Sequence, residues 1–301
     1  MYNALIVGAG QIAGGYDSKE STDIFTHAHA YINNSNINLL GFYDIDYTKS
    51  QKMAEKWDTK VIKSLKDINS NIDIISICTP DNTHLEMIKK TLEFAPQIIF
   101  LEKPISNNIN DFNKIKKISE TTPILIDYTR RFIKEFQELA VKIKNEEFGA
   151  YQTGSGYYGK GFYHNGSHMK DLLTLLLGKI LSINPISQIN DYSDKDLTQT
   201  AILNFDRGNF FMQGTNSNEF EIFEIDLIFT KARIKILDGG GVIQIYEIKS
   251  NEQFTGYKNL YLAKKYPTEI NLAMINAVKN IIDYLDNKSK LISPIGEFLW
   301  R

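Results

Sequence analysis

The run Ala4-Leu5-Ile6-Val7, followed at once by Gly8-Ala9-Gly10-Gln11-Ile12-Ala13, places an apolar strand directly against a Gly-x-Gly-x-x-Ala turn. In such a turn the first glycine permits a tight bend and the second lets the backbone approach a pyrophosphate. A small third residue lets the next helix pack on the strand. Backbone N–H groups and the positive end of that helix then face the anion. The pattern carries meaning only with a strand before it and a helix after it, and both are expected here. Gly8, Gly10, Gln11 and Ile12 are the first candidate contacts to a dinucleotide.

Further apolar runs at 38–43, 73–78, 97–101 and 123–126 alternate with amphipathic segments at 49–57, 84–94 and 111–119. Such alternation predicts a parallel sheet covered on both faces, with ligands at the carboxyl ends of its strands. After Tyr128 the pattern changes. Helix-like stretches at 133–144 and 167–177 flank a strand at 149–158, and strand runs follow at 200–205, 209–214, 220–229, 232–237 and 242–248. Asp206-Arg207-Gly208 and Asp238-Gly239-Gly240-Gly241 have hairpin chemistry; the triple glycine is a turn, since strand patterning lies on both sides of it. The expected fold is α/β: a Rossmann doubly wound parallel sheet over 1–127, then an α+β domain over 128–301 with a large, mostly antiparallel open sheet.

At 301 residues the chain can bury two cores, and its formal net charge of −2 argues against a nucleic-acid partner. No apolar run reaches the roughly 18 residues of a membrane span. The first strand begins too early for a cleavable leader. The expectation is a cytoplasmic protein with neither nucleic-acid nor membrane partners. The single cysteine, Cys78, lies in an apolar run and is expected to be a buried small hydrophobe with no disulfide.

The second strand ends at Tyr43-Asp44-Ile45-Asp46. A carboxylate there can accept hydrogen bonds from adenosine ribose hydroxyls and would repel a ribose phosphate, so Asp44 favours NAD over NADP. Its distance from the glycines exceeds the usual spacing of about 20 residues, which points to an inserted loop over 14–26.

Two more strand ends carry Cys78-Thr79-Pro80-Asp81-Asn82-Thr83-His84 and Glu102-Lys103-Pro104. A Thr-Pro turn followed by His, then Glu-Lys-Pro, resembles the glucose-fructose oxidoreductase and inositol dehydrogenase family, Gfo/Idh/MocA. The resemblance extends over Gly8 to Ala13, Thr26-His27-Ala28, Asp44, Arg130-Arg131-Phe132 and His164 to Asp171. It implies NAD(P) held between a Rossmann domain and an open-sheet domain, with hydride moved to or from a sugar or cyclitol carbon. It also implies cofactor contacts at Thr79, Pro80, Asn82, His84, Glu102 and Lys103, a cis Lys103-Pro104 bond, and Lys103 as the lysine near the reacting hydroxyl. A partly desolvated lysine beside a cationic ring titrates lower, which eases proton exchange near neutral pH.

By the same match His168 is the family's catalytic histidine, and a histidine suits the task because it can accept the hydroxyl proton and return it. Many relatives carry Asp where this chain has His164, so His164 joins the candidate catalytic set. If a helix starts near Ser167, His168 and Asp171 share one face. Arg130, Arg131, Tyr158, Lys160, Asn165 and Asp171 are candidate substrate contacts; the arginines can instead brace a joint, and Tyr157, Tyr158 and Lys160 can be plain strand residues. His164, His168 and Asp171 also have the composition of a metal site, although the resembling family uses no metal. The expected activity is an NAD-dependent dehydrogenase or reductase acting on a secondary hydroxyl or ketone of a sugar, nucleotide sugar or cyclitol. The His164 variant is similar to members in surface-polysaccharide sugar pathways. Rival readings are a dinucleotide-sensing regulator on the same fold and NAD-assisted glycoside cleavage without net NADH. The family also implies a homo-oligomer, dimer or tetramer, built on the second-domain sheet. The chain stops at Phe298-Leu299-Trp300-Arg301, earlier than relatives whose last helix continues.

Overall fold

The structure, a computed structural model, describes residues 1–68 and 70–295; Phe298 and Trp300 lie outside the described residues. The described residues form two units, Met1–Phe132 together with 271–295, and Ile133–Ile270.

The first unit is built on six parallel strands: β1 (Tyr2–Val7), β2 (Ile37–Tyr43), β3 (Lys60–Val61), β4 (Ile74–Ile77), β5 (Ile98–Leu101) and β6 (Ile124–Ile126). Their order is β3-β2-β1-β4-β5-β6, the doubly wound arrangement that the alternating pattern predicts. Helices α1 (His27–Ile32), α2 (Tyr47–Trp57), α3 (His84–Thr91) and α4 (Ile109–Ile118) make the crossovers. Successive strand residues feed opposite faces: Ala4, Ile6, Ile74 and Phe100 enter one apolar cluster, Leu5, Val7, Ile75 and Leu101 the other. Burial on both faces is why β1, β4 and β5 read as near-continuous apolar runs, broken only by Asn3 and Ser76.

The second unit opens with α5 (Lys134–Lys144) and β7 (Tyr151–Tyr158), then α6 (Gly166–Leu177). The strands that follow are β8 (Ile180–Ser193), β9 (Asp196–Phe205), β10 (Gly208–Gly214), β11 (Phe223–Phe229), β12 (Ala232–Leu237), β13 (Val242–Ser250) and β14 (Lys258–Pro267). They join β7 in an eight-stranded sheet ordered β14-β13-β12-β11-β7-β10-β9-β8. Only the β7/β10 pair is parallel. Alternate residues such as Phe223, Ile225, Leu227 and Phe229 are buried, and Leu172, Leu173 and Leu176 of α6 are buried with them. A Cβ on Gly156 of β7 would lie 3.2 Å from Met169 Cε of α6, so helix and sheet are in close contact.

The structure departs from the sequence reading at the unit boundary. The last helix, α7 (Ala273–Leu285), belongs to the first unit, whereas the sequence reading assigns everything after 128 to the second. Met274, Ala277, Val278 and Ile281 complete the apolar cluster that holds Ala4 and Ile6. Beyond α7, Ser293 O accepts from Ile126 N–H at 2.9 Å and Pro294 bridges to Leu125, covering the edge of β6. No helix among the described residues is long and apolar enough to cross a membrane.

Candidate active site

The turn after β1 has the geometry the glycines imply. Gly8 has φ +98°, and a Cβ there would lie 2.6 Å from the Cys78 carbonyl oxygen, so only glycine fits. A Cβ on Gly10 would meet nothing within 4 Å, and Gly10 is exposed, which leaves its backbone open to a ligand. Ala13 is fully buried. The element that follows is a single π turn, Gln11–Gly15, where the sequence reading expects a helix. Any contribution from aligned peptide dipoles is therefore confined to one turn. Gln11 is exposed and Ile12 half-buried at its start.

Asp44, just past β2, is tied to this turn: Ala9 N–H donates to its Oδ2 at 2.7 Å, and Asp46 N–H donates to its Oδ1 at 2.8 Å. The loop between the π turn and α1 accounts for the long spacing. It is anchored by buried Asp17, which accepts from Phe25 N–H at 2.6 Å and Thr26 N–H at 3.1 Å and lies 3.0 Å from His29 Nδ1.

At the end of β4, Thr79 is half-buried while Pro80 and Asn82 are exposed. His84 behaves differently from the expectation. Its ring is buried, with Nε2 2.9 Å from Thr79 O and Nδ1 3.2 Å from Ile105 O, so it braces two strand-end turns against each other. Burial pushes its pKa down. Lys103 is half-buried and the Lys103-Pro104 bond is cis.

Glu102 also turns inward. Its Oε1 lies 3.0 Å from His27 Nε2, and its Oε2 accepts the Lys103 backbone N–H at 3.2 Å. Asp127, after β6, completes a buried group of three whose donor atoms lie within 4.8 Å of one another. Burial raises the pKa of Glu102 and, far more, of Asp127, and lowers that of His27 to about 4. Cys78 is a buried thiol whose pKa burial pushes up. Arg131 is buried, with Nη1 3.5 Å from Ile292 O, which fits the bracing alternative; Arg130 is half-buried.

In the second unit α6 begins at Gly166, so His168 (half-buried) and Asp171 (buried) stand one turn apart on it, as the spacing predicts. His164 and Asn165 lie in the preceding π turn, Gly161–Asn165. The His164 ring stacks on Tyr192 at 4.6 Å, and Asp196 accepts the backbone N–H groups of Tyr163 and His164 at 2.8 Å each. The β8–β9 hairpin tip thus shapes this turn. Among the described residues His164, His168 and Asp171 do not gather as a metal-ligand group. Tyr158 is a core residue, not a pocket wall: it is fully buried, its hydroxyl donating to Gln199 O at 2.7 Å and accepting Gln199 N–H at 3.0 Å. Lys160 forms a surface ion pair with Glu221 at 2.8 Å.

Sequence reasoning gave no role to Lys170. Its Nζ lies 3.7 Å from the Phe162 ring centroid, and burial drives its pKa down to about 7 against the pull of Asp196. Its place between His168 and Asp171, within the segment that carries the resemblance, was the available signal.

Residues 2–126 match the family model described as the oxidoreductase family with an NAD-binding Rossmann fold. The scyllo-inositol 2-dehydrogenase (NAD(+)) of Bacillus subtilis is 30% identical over 182 residues, which is 51% of this chain and 51% of that protein. Matches to three curated relatives span 32%, 51% and 38% of those relatives' lengths. Among solved structures, the WlbA dehydrogenase from Bordetella pertussis, in complex with NADH and UDP-GlcNAcA, superposes with a TM-score of 0.78 at 16% identity, over 98% of this chain and 91% of that one. A super-repressor mutant of Gal80p from Saccharomyces cerevisiae gives 0.75 at 14% identity, over 96% and 86%. At such identities the likeness is one of fold.

Proposed function

We propose that the chain is a member of the Gfo/Idh/MocA oxidoreductase family, whose NAD-binding Rossmann model its residues 2–126 match, and that it is an NAD-dependent enzyme that moves hydride between nicotinamide and a secondary hydroxyl or ketone of a sugar, nucleotide sugar or cyclitol. The observation that carries the cofactor half is the Asp44 carboxylate hydrogen-bonded to Ala9 within the glycine turn. That bond fixes an anion where ribose hydroxyls would need an acceptor and a ribose phosphate would be repelled. The residues fit the dinucleotide, because the Gly10 backbone is open and Gly8 cannot be replaced without a clash.

Bound NAD supplies the hydride acceptor or donor. The chain's own task is the proton. In this reading the Lys103 amine and the His168 imidazole take the hydroxyl proton during oxidation and return it in reduction, each contributing general acid–base catalysis. Asp171, one turn beyond His168, and His164, held against Tyr192, orient that imidazole and the substrate. The inositol dehydrogenase relative supports a cyclitol, and the WlbA complex with UDP-GlcNAcA supports a nucleotide-linked sugar. We assign a homo-oligomer to the exposed apolar residues of the eight-stranded sheet, among them Ile248, Leu260 and Leu262.

Calorimetry with NAD(H) and NADP(H), followed by an absorbance screen for NADH with cyclitols and UDP-sugars, tests the proposal. Tight NAD binding with turnover of one substrate class supports it. Binding without turnover of any favours a regulator, the reading that the likeness to Gal80p keeps open. If neither cofactor binds, the proposal fails at its first step.

A further inference from the structure

A directional chain of hydrogen bonds ends on Glu102. Tyr31 Oη and Ser76 Oγ are 2.6 Å apart, Ser76 Oγ and His27 Nδ1 2.9 Å, and His27 Nε2 and Glu102 Oε1 3.0 Å. An ionised Glu102 can only accept, and with it His27 carries its proton on Nε2. Its Nδ1 then accepts from the Ser76 hydroxyl, and Ser76 accepts from Tyr31. The Lys103 backbone N–H donates to the other Glu102 oxygen.

A carboxylate oxygen of Asp127 lies within 4.8 Å of one of Glu102, both side chains buried, and two ionised carboxylates cannot share so dry a space. Asp127 Oδ1 is buried with no donor facing it, which is costly for an anion but not for a protonated acid. Protonated, Asp127 adds no second negative charge next to Glu102. The titratable groups facing the pair are His27 and Tyr31 from α1, Cys78 from the end of β4, and Lys103; among them the Lys103 ammonium acts on both carboxyls.

We propose that Glu102 is a buried positioning residue, ionised at pH 7 and held by the His27 ring next to a neutral Asp127, which fixes the Lys103 turn through its backbone N–H and keeps one negative charge near the Lys103 side chain. The proposal rests on reading Lys103 as the proton-handling lysine, since its purpose is to set how readily that amine yields its proton.

The test uses the free protein, without dinucleotide or substrate, so it is independent of whether any dehydrogenase activity is found. The pH dependence of reductive methylation at Lys103, read by peptide mass spectrometry, gives the amine's titration midpoint. Glu102→Gln is expected to lower that midpoint by about one pH unit, because a cation loses its neighbouring anion. Asp127→Asn, which removes no charge, is expected to leave it in place. A second measurement needs no Glu102 variant: the infrared band of a protonated carboxyl should be present at pH 7 in the native protein and absent in Asp127→Asn. An unmoved midpoint in Glu102→Gln, an equal shift in Asp127→Asn, or the lack of a protonated carboxyl at pH 7 overturns the proposal.

Discussion

Ala9 donates its backbone N–H to Asp44 Oδ2 at 2.7 Å, joining positions 35 residues apart. The bond sets the acidic strand end against the glycine turn before any ligand arrives. Replacing Asp44 by Ala is expected to weaken NAD binding ten- to a hundredfold, the worth of about 1.5–3 kcal/mol of charge-assisted hydrogen bonding. Binding of NADP should fall less, narrowing the preference. Calorimetric Kd values for both cofactors check this, and an equal loss for both would remove Asp44 from the ribose.

The two glycines should separate fold from ligand. Gly8→Ala places a Cβ 2.6 Å from a backbone oxygen at positive φ and is expected to cost about 2–4 kcal/mol of stability. Gly10→Ala meets no protein atom within 4 Å, so its melting temperature should stay near native while NAD affinity drops. Paired denaturation and binding curves decide it.

Lys103→Met should leave NAD affinity within about threefold and lower kcat by about 10²–10⁴, the usual range for losing a general acid–base group. The measurement is single-turnover NADH formation with the substrate found by screening. A matching loss in cofactor binding would make Lys103 a cofactor contact instead.

The buried acids and His27 act in opposite senses on acid stability. With its pKa lowered to about 4, His27 stays neutral in the fold while the unfolded chain takes up a proton near pH 6.5, so alone it makes stability fall as pH drops from 6.5 towards 4. Asp127, raised well above 3.8, keeps its proton in the fold while the unfolded chain releases one, so alone it makes stability fall as pH rises through the same window. Removing the second slope exposes the first. Asp127→Asn should become steeper than the native protein between pH 4 and 6.5, by up to about 1.4 kcal/mol per pH unit. Melting temperatures across that range provide the check, and parallel curves would refute it.

Tyr158→Phe should cost about 1–3 kcal/mol, because it strips both the Gln199 carbonyl and the Gln199 N–H of a buried partner. No change in KM for substrate is expected.

The parallel sheet was legible because strands buried on both faces are continuous apolar words, and their carboxyl ends point to Gly8, Asp44 and Lys103. Other elements were hidden for physical reasons. Helix α1 is short and buries His27, His29 and Tyr31, so its polar residues mask the periodicity. Strands β8 and β14 are the two edges of their sheet and are largely exposed on both faces, which removes the alternation that marks a strand. At the site, strand parity decided more than residue type. Tyr157 is 43% exposed while its neighbour Tyr158 is 0% exposed, and the sequence alone did not say which faced inward. Glu102, His84 and Arg131 look like surface-seeking residues but spend their polar atoms inside, a fact that only their distant partners reveal.

Helix α7 makes the first unit discontinuous in the chain, since Met274, Val278 and Ile281 finish an apolar cluster begun by Ala4 and Ile6. During synthesis that cluster must wait, open on one side, while the whole of 133–270 leaves the ribosome. A fragment ending at Phe132 should therefore emerge sticky and depend on chaperones, whereas a fragment of 133–270, whose sheet pairs only with itself, is the piece to express alone.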